Sequence, residues 1–273
     1  VGREDLATRW AASREEFRAD LLASLALARE RHRIDYLPGS AELGDFDATS
    51  TTVLLEPGGL GEVLPSAAVT ATFDRYYREF EERRDGARAW QVYTPYELRS
   101  VGAFVRLGQR QRAHALLDFF LAGRRPAAWN QWAEVVGREP RTPRFLGDLP
   151  HGWVASDFAR SFLDLFAYER REDGALVLAA GLSRAWLASG EEVGIRRLRT
   201  PWGELSFAAR FENGRLRMRI ESLTAWPPGG VVLELPLGDG ARISVNGWAR
   251  KPTAAHGLAL DRLPAVVDVE SPW

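Results

Sequence analysis

The chain has 273 residues, 45% of them hydrophobic and 27% charged, and a formal net charge of −1. That balance excludes the disordered and membrane-embedded classes and leaves no electrostatic footprint for nucleic acid or an anionic lipid surface. With no cysteine, disulfides, thiolate catalysis and cysteine-based metal sites are excluded as well. Charges begin at Arg3 and no apolar run nears the ~20 residues of a membrane span, so neither a signal peptide nor a transmembrane segment is expected, and the compartment stays open. The chain opens on Val1 and its one methionine is Met218. A processed chain, a piece of a longer protein or a chain begun at a valine codon are the readings of that.

Residues 4–33 read as a long amphipathic helix, with Leu6, Trp10, Phe17, Leu21 and Leu25 at helical spacing between Arg and Glu. Residues 34–64 read as a long irregular connection, a length that usually marks function. A second helix is predicted over about 66–85, with Val69, Phe73, Tyr76, Tyr77 and Phe80 on its apolar face and Gly86 at its end. Thr94, Pro95 and Glu97 have the order of a capping box and open a helix to about Leu107. Gly108 breaks it, and a partner over 109–122 completes an αα-hairpin. Residues 123–153 form another long connection. Ser156 or Asp157 then caps a helix to about Arg170, with Phe158, Phe162, Leu165 and Phe166 on its apolar face.

Near Asp173-Gly174 the periodicity drops from 3.6 to two. Strands are predicted at 175–180, 195–199, 205–211, 216–221, 231–235, 243–245 and 266–269. Asn213-Gly214 is read as a type I′ hairpin turn. The expected organisation is thus a helical-hairpin domain over 1–172 and a C-terminal antiparallel, sandwich-like β-domain over 173–273.

Candidate functional residues gather in the loops. Trp129, Trp132, Trp153 and Tyr93 offer flat apolar faces suited to sugar rings, and Asn130, Gln131 and His151 offer hydrogen bonds to hydroxyls. Glu134 and Asp148, beside these tryptophans, are the candidate carboxylates for acid–base hydrolysis of a glycosidic bond, with Asp47 as a further binding residue. Each has a plainer role to weigh against this: capping or turn fixing for the acids, wedging against the core for the tryptophans. No P-loop, dinucleotide fingerprint, EF-hand or His-x-x-x-His pattern occurs, and His32, His114 and His256 are scattered, so neither a cofactor nor a metal is expected.

Long helices alternating tight turns with long loops, then a small β-domain, resemble the C-terminal half of the six-hairpin glycosidases, the (α/α)6-barrel class. The residues that carry this are Asp47-Ala48-Thr49-Ser50-Thr51-Thr52, Ala127-Ala128-Trp129-Asn130-Gln131-Trp132 and Gly147-Asp148-Leu149-Pro150-His151-Gly152-Trp153, together with Trp202-Gly203-Glu204-Leu205 and Pro227-Pro228-Gly229-Gly230 in the β-part. The resemblance implies an (α/α)6-type fold followed by a β-sandwich-like appendage, inverting hydrolysis and a carbohydrate partner, joined by the missing N-terminal part of the same protein. In the rhamnosidase-like branch a Trp-Glu-x-Trp loop supplies the base; Asn130 stands at that position here, which moves the expected role to Glu134 or Asp148. A non-catalytic carbohydrate-binding or scaffolding domain and a helical protein-interaction domain are the competing expectations.

Overall fold

The computed structural model describes residues 2–139, 145–252 and 257–273; His256 lies outside them. The chain forms two compact units, Val1–Ala89 and Trp90–Trp273. Among the described residues no helix is long and apolar enough to cross a membrane.

The first unit holds three helices: α1 (Glu4–His32), α2 (Ala48–Leu55) and α3 (Ser66–Arg84). Acids in the first turn of α1 (Glu4, Asp5) and bases in its last (Arg29, Arg31, His32) suit the helix dipole, and a left-handed Arg33 ends it. The predicted apolar stripe of α1 stays largely in solvent: only Leu25 and Ala28 are buried, while Trp10 is 65% and Phe17 73% exposed. The stretch predicted as wholly irregular contains α2, because Asp47 accepts from the Ser50 amide at 3.0 Å and so starts a helical turn. α3 buries Val69, Phe73, Tyr76 and Phe80, as its spacing predicts. Thr72 of α3 accepts from the Leu37 amide at 2.9 Å and donates to Ala68 O at 2.8 Å, which leaves this buried hydroxyl satisfied. Gly44 turns at φ 62° against the His32 ring, where a Cβ would come within 2.4 Å.

The second unit combines helices and sheets. A two-residue strand β1 (Val92–Tyr93) precedes a 3-10 turn (Pro95–Leu98), which runs into α4 (Arg99–Arg106). The capping box does not form, because the Thr94 hydroxyl donates instead to Glu134 O at 3.1 Å. Gly108 at φ 71° links α4 to α5 (Arg110–Ala122), giving the predicted αα-hairpin. β2 (Val136–Gly137) pairs antiparallel with β1.

α6 (Gly152–Asp164) starts earlier than predicted and ends six residues sooner than Arg170, since Ala167–Arg170 is strand β3, paired with β4 (Ala175–Leu178). Tertiary pairing takes residues whose local pattern still allowed a helix. Asp157 is not a cap: it receives Arg99 Nε at 2.7 Å. One heptad further along both helices, Asp164 receives Arg106 through two bonds of 3.1 Å, so α4 and α6 run parallel. They pack closely at Gly102, where a Cβ would meet Asp164 Oδ2 at 2.7 Å.

After a short α7 (Arg184–Leu187), the chain forms β5 (Val193–Thr200), β6 (Gly203–Glu212), β7 (Arg215–Ile220), β8 (Val231–Leu233), β9 (Arg242–Val245), β10 (Trp248–Arg250), β11 (Leu258–Leu260) and β12 (Ala265–Glu270). Six strands make an antiparallel sheet in the order β10-β9-β12-β7-β6-β5, and four make a second, β11-β8-β4-β3. The second sheet is mixed, with β4 and β8 parallel. Inward residues alternate along β6 and β7 (Leu205, Phe207, Ala209; Leu216, Met218, Ile220) and share one core with Leu176 and Leu178 of β4 and Val231 and Leu233 of β8. Asn213 and Gly214 both have positive φ, 52° and 76°, as a type I′ turn requires.

The expected (α/α)6-type arrangement of helical hairpins does not form. Among the described residues there are seven helices, three of them of eight residues or fewer, beside three sheets. A hairpin toroid needs each helix to bury a continuous stripe against the next. Here α1 buries almost nothing over its first twenty residues, and the residues after α6 pair as strands. The resemblance to the six-hairpin glycosidases falls with the toroid.

Candidate functional site

Within the second unit, residues 132–135 and 146–151 fold together into a compact shelf. Its backbone closes on itself: Glu134 N bonds Asp148 O at 3.0 Å, Val135 N bonds Leu146 O at 3.0 Å, and His151 N bonds Trp132 O at 3.0 Å. These bonds place Glu134 and Asp148 side by side, although fourteen positions separate them in sequence. Gly147, at φ 63°, makes the turn possible. A Cβ there would lie 2.1 Å from Glu134 Oε2 and 2.6 Å from Glu134 Cβ, so only glycine admits the glutamate side chain.

His151 sits at the N-terminus of α6, in the angle of this shelf. Its Nε2 is 2.6 Å from the Tyr96 hydroxyl, and its Nδ1 is 3.8 Å from Asp148 Oδ2. Burial, then the charge of Glu134, raises the Tyr96 phenol above its ordinary range, with the Arg99 guanidinium opposing. The hydroxyl and Nε2 share one hydrogen bond, whose donor is set by the imidazole tautomer. The Tyr96 and His151 rings meet edge-on at 5.5 Å.

Trp153 lies against both, 6.1 Å from His151 and 6.3 Å from Tyr96, and is 72% exposed. The Asp148 side chain is 84% exposed and that of His151 only 11%. The site therefore presents a fixed imidazole between an open carboxylate and an open indole face. Beneath it, Arg99 stacks on Tyr96 at 5.0 Å while pairing with Asp157. Donor atoms of Glu134, Asp148 and His151 all lie within 4.8 Å of one another, a set able to approach a single cation or a single hydroxyl-bearing ligand.

The other candidates lie elsewhere. Trp132 is 1% exposed, packs on Phe158 at 5.0 Å and donates its indole N–H to Phe120 O at 2.7 Å; it is a core residue and not a stacking face. Tyr93 is buried among Trp90, Phe119 and Phe120 and likewise presents no accessible ring. Trp129 is 58% exposed, and left-handed Asn130 accepts from Arg124 at 2.5 Å. Among the described residues Trp129, Asn130 and half-buried Gln131 share no hydrogen bond or ring contact with the Glu134–Asp148–His151 group. Asp47 belongs to the first unit and is the N-cap of α2.

Sequence reading missed Arg99 as part of this arrangement and gave Tyr96 no partner. Gly147-Asp148 carried a local signal, a turn glycine beside an acid. The pairing of Tyr96 with His151, 55 positions apart, carried none. No family model matches the chain, and no curated protein matches it.

Proposed function

We propose that the second unit recognises a carbohydrate on the Trp153 shelf. The observation that carries this is the open indole face of Trp153 beside a hydrogen-bonded Tyr96–His151 pair flanked by two carboxylates. An exposed flat ring suits the C–H face of a pyranose, and converging fixed acceptors and donors suit its hydroxyls. Glu134 and Asp148 bring an oxygen of each within 4.8 Å, closer than the ~6.5–9.5 Å that leaves room for an attacking water in inverting hydrolysis. The pair is accordingly read as hydroxyl-binding, with Trp153 as the platform.

Isothermal titration of the chain with a panel of neutral mono- and oligosaccharides tests this. A sugar that binds should lose at least about tenfold in affinity, roughly 1.4 kcal/mol, in Trp153→Ala, whose exposed position leaves folding intact. Binding that is indifferent to Trp153→Ala and to Glu134→Gln, or absent for every sugar, defeats the proposal.

A further inference from the structure

The first twenty residues of α1 carry large apolar side chains left in solvent: Trp10 is 65% and Phe17 73% exposed, in line with half-buried Leu6 and Leu21. A stripe of this kind on an otherwise charged helix marks an interaction surface. Its spacing says what the partner is. Leu6, Trp10, Phe17 and Leu21 are separated by four, seven and four residues, so the stripe is a palindrome centred between Ser13 and Arg14. At 100° per residue the four fall within about 60° of one another on the helix surface, along roughly 22 Å of its length.

We infer that α1 pairs antiparallel with α1 of a second copy of this chain, through a two-fold axis at Ser13–Arg14. In that register Trp10 of each copy meets Phe17 of the other and Leu6 meets Leu21, while small Ser13 at the crossing lets the helices approach. A two-fold interface must be self-complementary in this way. The charges agree with the same register. Arg9, Glu16 and Asp20 share one flank of the stripe, and among the described residues none of the three makes an ion pair. An antiparallel pair brings like flanks together, so Arg9 of each copy faces Asp20 and Glu16 of the other. On the opposite flank Arg14 is already neutralised by Glu15 of its own helix at 2.8 Å. Four aromatic rings at ~150–250 Å² each, about two-thirds exposed, offer roughly 400–700 Å², and the leucines beside them bring the contact to the small end of specific interfaces.

Sedimentation equilibrium of the full chain, across two decades of micromolar concentration, tests this. The expected result is a concentration-dependent species of twice 30.5 kDa. Trp10→Glu with Phe17→Glu should abolish it. Asp20→Arg, which sets arginine against Arg9, should weaken it by about tenfold, and adding Arg9→Asp should restore it. That rescue reports the antiparallel register and does not depend on the apolar variants folding. A wild-type chain monomeric throughout overturns the inference, as does a dimer that survives the double glutamate variant or an Asp20→Arg defect that Arg9→Asp leaves unrepaired.

Discussion

The α4–α6 seam and the 134–153 shelf use the same materials, carboxylates beside arginine, histidine and tyrosine, and put them to opposite ends. In the seam every charge is met: Arg99 by Asp157 and Arg106 by Asp164, whose side chains are 13% and 6% exposed. On the shelf Asp148 stands 84% exposed with its nearest partner 3.8 Å away. An acid buried against a guanidinium presents almost no open oxygen to a ligand. An acid held by its backbone, with a free carboxylate, keeps its oxygens open. The contrast separates acids that fix helices from acids that can meet a sugar, which residue type and loop position alone do not.

The largest expected effect comes from breaking the seam. Asp164→Ala leaves Arg106 buried without its partner and should cost about 3–5 kcal/mol, read as a lowered urea midpoint at unchanged slope. A loss under about 1 kcal/mol would mean that this pair contributes little and that Arg99–Asp157 and the packing at Gly102 hold α4 to α6. Gly147→Ala should come next. The strain of a left-handed alanine and its overlap with Glu134 should cost roughly 1–3 kcal/mol and displace the glutamate, so sugar affinity falls together with melting temperature. Asp148→Asn should be smallest in stability, within about 0.5 kcal/mol by chemical denaturation, while sugar affinity still falls. A large stability loss there would place Asp148 with the seam acids and erase the distinction.

What was legible in the sequence was local. Asn213-Gly214 announced its turn because both positions need positive φ, and β6 and β7 announced themselves by alternation. The α4–α5 hairpin followed from Gly108 between two apolar periodicities. What was not legible depended on distant partners. Ala167–Arg170 reads as the tail of a helix until β4 is present to pair with it. Thr94 looks like a cap until the Glu134 carbonyl comes within reach of its hydroxyl. Trp129, Trp132 and Trp153 look alike in one loop, yet the chain buries the second and leaves the first and third in solvent. That choice is set by which indole N–H finds a carbonyl, here Phe120 O for Trp132.

The order of the six-stranded sheet sets a timetable for building the protein. β12, residues 265–270, lies between β9 and β7, so the last of the six strands in chain order is interior to the sheet. Until it is in place, β7-β6-β5 and β10-β9 are two separate pieces, each with a backbone edge open to other chains. The arginines that point outward at every second position of β7 (Arg215, Arg217, Arg219) keep that waiting edge charged, and Asp268 and Glu270 of β12 cover two of them on arrival.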